Sequence, residues 1–156
     1  SLVSRGQRES EIKERVRLFW ETELSNNLRA QATQVIEQHR AAGDQLAILT
    51  SSSDYLSEYA AKHWGIPHVL SNRFVVHDSI FTGELIEPIC FGPGKLVYAK
   101  ALADKLGYSL DDCIFYSDSY SDLVPMESMG KAVAVHPDRR LARTARQRKW
   151  EIAYWK

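Results

Sequence analysis

Apolar residues along the N-terminal part of the chain recur in two different periods, which predict helices and strands in alternation. Between residues 11 and 24 they recur every three to four positions, the spacing of one face of an amphipathic helix. A second helix is predicted over residues 27–42, and Gly43 supplies a natural C-terminal stop. The short apolar run over residues 46–50 then predicts a strand.

The remainder of the chain continues this alternation of short elements. Strands that alternate with helices at short spacing predict an α/β protein with a doubly wound, mostly parallel sheet. The further predicted elements are a helix over residues 55–64, a strand over 68–70, a hairpin whose strands 74–76 and 79–81 flank His77-Asp78 and which is closed by Thr82-Gly83, a helix over 96–106, a strand over 113–116, a helix over 122–129, a strand over 132–135, a helix over 139–148 and a strand over 151–154.

The composition narrows the class of protein. The 156 residues are 44% hydrophobic and 26% charged, within the range of one soluble globular domain. Lysine plus arginine and aspartate plus glutamate number 20 each, so no global field favours nucleic acid or an acidic membrane. No apolar run approaches the roughly 18 residues of a membrane span. Cys90 and Cys113 are too few for a disulfide framework or a zinc site, so we predict reduced thiols in a cytoplasmic protein.

Local charge is less even, because basic residues crowd the C-terminal region. A nucleic-acid patch is one interpretation, but no RNA-binding aromatic pattern or DNA-binding motif accompanies the cluster. We interpret it as the solvated face of a helix and predict no nucleic-acid partner and no membrane partner. The basic residues of this cluster are Arg139, Arg140, Arg143, Arg146, Arg148 and Lys149.

Two of the predicted strands end in unusually polar turns. In open α/β sheets, ligands bind at the carboxyl ends of strands, where the N-termini of the following helices also point. The turn TSSS over residues 50–53 offers hydroxyls and the backbone N–H groups of a helix start, which suit a phosphate dianion. A plain serine-rich helix cap is the alternative interpretation.

The second turn, SDSYSD over residues 117–122, contains two aspartates and is more specific than the first. Asp118 and Asp122 lie four residues apart across a strand-to-helix turn, so both carboxylates can face one pocket. Two oxygen ligands beside a phosphate site suit Mg²⁺, which keeps several waters and takes one or two protein carboxylates. The alternative is that Asp118 caps a helix and Asp122 lies in its first turn.

Lys95 connects these two weak signals. It follows Gly92-Pro93-Gly94 and opens the helix that precedes the second polar turn. A lysine that reaches the same pocket would neutralise phosphate and carboxylate charge, whereas an ordinary surface lysine would do neither. The order of an apolar strand with Thr50, a helix start with Lys95 and a strand with Asp118 and Asp122 is more specific than any of the signals alone.

In this order of motifs the sequence resembles the haloacid dehalogenase superfamily, in its phosphoserine phosphatase-like subgroup. The resemblance runs from HRAAGDQLAILTSSSDYL through FTGELIEPICFGPGK to FYSDSYSDLVPMESMGKAVAVHPDRRLARTARQRKWEI. It covers about three quarters of the chain and implies a Rossmann-like core. Two positions depart from the usual pattern, because Ser117 replaces a frequent glycine and Ser121 replaces a frequent asparagine.

The resemblance implies a role for each motif residue. Thr50 would hydrogen-bond the transferring phosphoryl group, and Lys95 would pair with its oxygens and with the nucleophile. Asp118 and Asp122 would hold Mg²⁺ directly or through water, so Mg²⁺ is the expected cofactor. Ser119 would contact phosphate or only satisfy the turn. The hydroxyls also expected to bind phosphate are those of Ser51 and Ser52.

The same resemblance implies that an essential part of the site is absent from this sequence. In such enzymes an aspartate attacks phosphorus to form an aspartyl-phosphate, and a second aspartate two residues later acts as acid and base. Both belong to a DxDxT motif on the first strand, and the sequence contains no DxD. We therefore expect residues 1–26 to be a remnant of a helical cap, residues 27–156 to be a core without its first strand, and the chain alone to be inactive.

The absent strand would lie in the centre of the sheet, between the strands that end at Thr50 and Asp118. Several unmade buried hydrogen bonds, at about 1–3 kcal/mol each, exceed what a domain stable by roughly 5–15 kcal/mol can lose. We expect the missing N-terminal segment or a strand-exchanged homodimer to fill the gap. The remaining alternative is that the two flanking strands pair directly.

The predicted function is Mg²⁺-dependent hydrolysis of a small phosphorylated metabolite, and a phosphoserine-like ester is favoured only by analogy. An alternative from another class is a non-catalytic module that binds phosphate or a partner through open sheet edges. A flavodoxin-like nucleotide or flavin binder is a third interpretation, but it leaves Lys95 and the paired aspartates poorly explained.

Overall fold

The computed structural model describes residues 5–156 and divides into two compact units, Ser1–Ile89 and Cys90–Lys156. The predicted boundary between a cap remnant and a core at residue 26 stays a prediction, because compactness does not reveal the origin of a segment. Residues 1–4 of that predicted remnant lie outside the described part of the chain.

The first unit begins with helices and continues as strand, helix and strands. Its described elements are helix α1 (Glu9–Phe19), which continues as a π-helical turn (Trp20–Leu24), helix α2 (Ala30–Ala41), strand β1 (Ala47–Ser53), helix α3 (Asp54–Trp64), and strands β2 (His68–Asn72), β3 (Phe74–His77) and β4 (Ile80–Leu85).

Strands β1 and β2 form a parallel pair, with Ile48 opposite Val69 and an irregular register between Leu49 and Ser53. Helix α3 crosses between them and packs against both strands. A parallel pair needs such a crossover helix, so the strand–helix–strand order predicted from the sequence is confirmed here.

Strands β3 and β4 form an antiparallel hairpin. Asp78 and Ser79 occupy its turn with φ of 50° and 63°, the left-handed backbone that two-residue hairpin turns require. The prediction that Thr82-Gly83 closes this hairpin is wrong, because both residues lie inside β4. The residues predicted between the two strands, His77-Asp78, lie one position before the turn that the structure forms at Asp78-Ser79.

The second unit is a parallel sheet with helices. Its elements are helix α4 (Pro93–Leu106), a 3₁₀ turn (Leu110–Asp112), strand β5 (Ile114–Ser117), a second 3₁₀ turn (Tyr120–Asp122), helix α5 (Leu123–Ser128), strand β6 (Lys131–Val135), helix α6 (Arg139–Arg148) and strand β7 (Glu151–Ala153).

The three strands of this unit lie in the order β5-β6-β7 and are all parallel. Strand β6 is central and buried, and Val133 is 1% exposed. Helix α6 buries Leu141 and Ala145 and turns its arginines outward, which is the amphipathic pattern that predicted it. This sheet therefore fixes the carboxyl end of β5, where the SDSYSD turn begins.

The predicted α/β class with parallel sheets is confirmed, and the sheets have exposed edges. Among the described strands, β1 pairs with β2 alone and β5 pairs with β6 alone. Ile114 on the edge strand β5 is 41% exposed. Within residues 5–156, no helix is both long and apolar enough to cross a membrane.

Candidate functional site

The TSSS turn in the first unit is part of strand β1, which runs through Ser53 and beyond its predicted end at Thr50. The Thr50 Oγ1 atom accepts a hydrogen bond from the Ser52 backbone N–H at 3.1 Å. The Ser53 Oγ atom accepts one from the Leu56 N–H at 3.3 Å and thereby caps α3. The helix-cap interpretation thus holds for Ser53 and leaves the other hydroxyls of the turn unaccounted for.

The hydroxyls of Ser51 and Ser52 have no hydrogen-bond partner within residues 5–156, and Ser51 is exposed. The backbone beneath them is held from the neighbouring strand, because the buried side chain of Asn72 donates to the Ser51 carbonyl oxygen at 2.8 Å. The turn is therefore anchored through its backbone while its side chains stay available to a ligand.

Asp54 follows this turn as the first residue of α3. Burial raises the pKa of its carboxyl, and the nearby Arg73 guanidinium opposes that shift. The Oδ1 atom is buried and accepts no hydrogen bond in the described part of the chain. Burial therefore disfavours the charged form of this carboxyl relative to that of an exposed aspartate.

The second unit contains a buried ion pair at the predicted metal turn. Lys95 Nζ lies 2.7 Å from Asp122 Oδ1, and both side chains are 7% exposed. Lys95 lies in the first turn of α4, which begins earlier than predicted, at Pro93. Gly92 precedes it with φ of 49° and lies close to the Ser121 carbonyl oxygen, so the helix start reaches the turn where a larger residue would be strained.

Ser117 completes this constellation. Its Oγ donates to Asp122 Oδ2 at 2.5 Å and accepts the Ser119 N–H at 3.2 Å. Residues 117, 119 and 122 are thereby tied together across the turn, and Asp122 is held by Lys95 on one oxygen and Ser117 on the other. Where the family pattern often has glycine, this chain has a hydroxyl that binds the buried carboxylate.

Asp118 differs from Asp122 in the burial of its side chain and in the contacts of its carboxylate. Its side chain is exposed and its carboxylate has no hydrogen-bond or ion-pair partner among the described residues. Its backbone carbonyl, in contrast, accepts the Asp138 N–H at 2.9 Å. The sequence predicted that both aspartates hold Mg²⁺, directly or through water. The structure gives one open carboxylate, that of Asp118, and one that lies against Lys95 and Ser117.

Ser119 and Ser121 complete the polar surface of the turn. Their hydroxyl oxygens lie 2.7 Å apart, and the Ser119 Oγ atom accepts the Ser121 N–H at 3.2 Å. The predicted alternative in which Ser119 satisfies the turn is therefore realised in the geometry. Thr50, Ser51 and Ser52 lie in the other unit, on the hydroxyl-rich turn of β1.

The donor set of this turn fits a magnesium ion. Mg²⁺ prefers oxygen ligands, keeps several waters and needs one or two protein carboxylates. The open Asp118 carboxylate suits direct coordination, and Asp122 Oδ1 accepts no well-aligned hydrogen bond despite the nearby ammonium group. Within residues 5–156, no cluster of three or more histidine, cysteine or acidic side chains is placed to hold a metal.

Two residues of this site escaped the sequence reasoning. Ser117 was noted only as a departure from the usual glycine, although its hydroxyl holds Asp122. Asp138 was not singled out by the sequence reasoning, although its Oδ2 atom accepts the Tyr120 N–H at 2.8 Å. The polar residue directly before the arginine-rich helix was the available signal for a cap, but nothing in the spacing indicated the contact with residue 120.

The parallel strands with polar turns at their carboxyl ends define an α/β protein of the class in which ligands bind at the carboxyl ends of strands. The model of the family described as haloacid dehalogenase-like hydrolase matches residues 2–127. The chain belongs to the haloacid dehalogenase-like hydrolase family, and the resemblance noted in the sequence is confirmed.

Individual relatives agree with this family. The chain is 34% identical over 123 residues to a probable phosphatase of Mycobacterium tuberculosis (79% of this chain, 42% of the relative). It is 37% identical over 119 residues to a phosphoserine phosphatase of the same organism (76% and 39%). It is 35% identical over 153 residues to an inhibition of morphological differentiation protein of Streptomyces azureus (97% and 55%). The chain thus spans about half the length of these relatives.

Solved structures support the fold. A protein of unknown function from Bordetella pertussis superposes with a TM-score of 0.86 at 26% identity, over 94% of this chain and 67% of that one. A substrate-bound phosphoserine phosphatase superposes with a TM-score of 0.68 at 19% identity, over 95% and 72%. The second likeness concerns the fold alone.

Proposed function

We propose that the chain supplies the Mg²⁺-binding and phosphate-binding part of a phosphomonoester hydrolase site that works through an aspartyl-phosphate. The observation that carries this proposal is the buried group of Lys95, Asp122 and Ser117 beside the open carboxylate of Asp118. Burying a charged pair costs free energy, so a pair retained at the carboxyl end of a parallel strand suits a ligand site better than a stabilising role. The phosphatase names of the relatives agree with this chemistry.

Each side chain has a distinct task in this proposal. Asp118 would hold Mg²⁺ through its open carboxylate. Asp122 would hold the ion directly or through water, since its Oδ2 accepts from Ser117 and its Oδ1 lies 2.7 Å from the Lys95 ammonium group. The bound ion would neutralise negative charge on the phosphoryl oxygens. Lys95 presents its ammonium group to the same region and keeps Asp122 in place. Such charge neutralisation and alignment supply most of the catalysis in phosphoryl transfer.

The hydroxyl-rich turn supplies the phosphate contacts. Thr50 Oγ1 already accepts the Ser52 N–H, so its own O–H is free to donate to a phosphoryl oxygen. Ser51 and Ser52 add two donors at the start of α3, where the helix dipole favours an anion. Ser119 on the other turn is a further donor, although it also binds Ser121.

The nucleophile is the part that the 156 residues do not contain, since they include no DxD. Hydrolysis through an aspartyl-phosphate therefore requires a strand that carries this pair, and the chain alone is expected to be inactive. The substrate class is a small phosphorylated metabolite. The two cysteines form no disulfide, which fits a reducing, cytoplasmic setting.

The test compares two forms of the protein on a generic phosphate ester with Mg²⁺. The 156-residue chain should give no turnover, whereas a version extended at its N-terminus by an apolar strand ending in DxDxT should give turnover that requires Mg²⁺. The Asp118→Asn variant of the extended version should lose most of that activity. Robust hydrolysis by the 156-residue chain alone would contradict the role given to the absent nucleophile.

A non-catalytic role as a partner-binding module is favoured by one separate observation. Strands β1 and β5 are sheet edges, and Ile114 on β5 is exposed. An exposed edge with an apolar side chain is a template for strand addition. We propose that a preceding segment of a longer protein or a second copy of the chain supplies that strand. Light scattering distinguishes the two, because strand exchange doubles the mass and a preceding segment does not.

A further inference from the structure

Asp138 lies outside the motifs of the proposed site, yet it contacts the metal-binding turn at two places. It follows β6 and precedes α6, and its Oδ1 atom accepts the Leu141 N–H at 2.8 Å, which caps the helix. Its Oδ2 atom accepts the Tyr120 N–H at 2.8 Å. Its own backbone N–H donates to the Asp118 carbonyl oxygen at 2.9 Å.

The two bonds to the turn enclose a single residue. One reaches the carbonyl of Asp118 and the other reaches the N–H of Tyr120, so the backbone on both sides of Ser119 is held by Asp138. The Asp118 carboxylate makes no side-chain contact of its own in the described structure. Its direction therefore depends on the backbone that Asp138 holds.

The segment that carries Asp138 is itself fixed. His136 has a φ of 43°, a backbone conformation that is unfavourable for a non-glycine residue and persists only where its surroundings impose it. Its backbone N–H donates to the Ala153 carbonyl at 2.9 Å, and its Nε2 atom lies 2.8 Å from the Trp155 carbonyl oxygen. The segment that includes Asp138 is therefore fixed to the C-terminal strand region, and Asp138 in turn hydrogen-bonds the SDSYSD turn.

A helix cap alone does not account for this arrangement. A cap needs one side-chain oxygen, and a serine or asparagine performs that task as well as an aspartate does. The second oxygen of Asp138 is committed to the turn. Arg140, in the first turn of α6, makes a cation–π contact with the same turn, because its guanidinium carbon lies 4.0 Å from the centre of the Tyr120 ring.

We propose that Asp138 is a positioning residue of the metal site, which orients the Asp118 carboxylate toward Mg²⁺ through the backbone of residues 118–120. The proposal rests on the metal site proposed above. Groups that orient metal ligands typically contribute about 10–100-fold in metal affinity. Loss of the hydrogen bond between Asp138 and the Tyr120 N–H should therefore weaken Mg²⁺ binding by about 10-fold or more.

The test uses the 156-residue chain and the variant Asp138→Ser, whose single oxygen keeps the cap on the Leu141 N–H and loses the bond to the Tyr120 N–H. Mg²⁺ affinity is measured by calorimetry, and hydrogen exchange of the Tyr120 amide is measured by NMR without metal. We expect faster Tyr120 exchange and about 10-fold weaker Mg²⁺ binding. Asp138→Asn, which has only one acceptor oxygen, should show the same two changes.

A matched control separates positioning from stability. Ser109→Ala removes the cap of the 3₁₀ turn at Leu110–Asp112 and does not touch residues 117–122. It should leave Mg²⁺ affinity unchanged. Equal Mg²⁺ affinity in the wild-type chain and Asp138→Ser would overturn the positioning role, as would an equal loss in Ser109→Ala. A wild-type chain that does not bind Mg²⁺ would instead overturn the proposed metal site, and the positioning role with it.

Discussion

The two polar turns of this protein are built in different ways. The TSSS turn is held through its backbone and leaves the hydroxyls of Ser51 and Ser52 without partners in the described structure. In the SDSYSD turn the side chains are held as well as the backbone, because Lys95 and Ser117 contact the Asp122 carboxylate. A turn that donates neutral hydroxyls to an anion needs little support. A turn that concentrates carboxylates needs a counter-charge and hydrogen-bond donors to keep them in place.

The comparison predicts that the acidic turn is far more sensitive to substitution, and Lys95 should show the largest effect. Lys95→Met leaves the buried Asp122 carboxylate without its counter-charge, which typically costs about 3–5 kcal/mol. Urea unfolding followed by circular dichroism measures this loss. The double variant Lys95→Met/Asp122→Asn should recover most of it, because no buried charge then remains. A loss below about 1 kcal/mol in Lys95→Met would show that the pair is solvated.

The second effect concerns Ser117. Ser117→Ala removes a hydrogen bond to a buried carboxylate and should lower the free energy of unfolding by about 1.5–3 kcal/mol. Thermal unfolding checks the magnitude. Ser128→Ala is a matched control, since its hydroxyl binds only the Val124 carbonyl within its own helix. An equal, small effect in both variants would contradict the role given to Ser117.

Substitutions in the hydroxyl-rich turn should change the free energy of unfolding less, and only the substitution of its helix-capping residue should have a clear effect. Ser53→Ala removes the cap of α3 and should cost about 1 kcal/mol. Ser51→Ala removes an exposed hydroxyl without a partner and should stay within about 0.5 kcal/mol of the wild-type chain. Urea titrations of the two variants compare them directly. A larger loss in Ser51→Ala than in Ser53→Ala would refute the division of this turn into a structural cap and ligand-facing hydroxyls.

The smallest expected effect is the pH dependence of Asp54. The pKa of Asp54 is raised in the folded chain, chiefly by burial, so the folded state binds the proton more tightly than the unfolded state does. The free energy of unfolding therefore falls as the pH rises from the pKa of the unfolded carboxyl through that of the folded one. Asp54→Asn should therefore be slightly more stable than the wild-type chain near neutral pH. This advantage should vanish below about pH 4, where the unfolded carboxyl is also protonated. A destabilised Asp54→Asn at neutral pH would mean that the helix dipole outweighs burial.

Sequence patterns predicted the elements best where apolar periodicity was strong. Helix α6 has its predicted bounds, Arg139–Arg148, because buried and charged positions alternate clearly along it. Strand β1 extends to Ser53 beyond its predicted end, because serines carry no apolar signal and their strand pairing depends on Asn72 in β2. The elements follow from local patterns, and their ends follow from tertiary partners.

The candidate site also contains contacts that local sequence patterns predicted and contacts that they did not. Lys95 and Asp122 were predicted to approach each other, and the structure places Lys95 Nζ 2.7 Å from Asp122 Oδ1. The shared ligand pocket stays a prediction. Asp138 was not predicted as part of the site, because its bond to Tyr120 joins residues 18 positions apart. Such a contact depends on how two loops meet at the sheet edge, which no local spacing encodes.

The central claim is that the SDSYSD turn binds Mg²⁺ through Asp118. It is tested most directly by titrating Mg²⁺ into the 156-residue chain and Asp118→Asn while following the backbone amide signals by NMR. The claim predicts saturable shifts of the amides of residues 117–122 in the wild-type chain and their loss in Asp118→Asn. Unshifted amides in the wild-type chain, or equal shifts in both proteins, would contradict it.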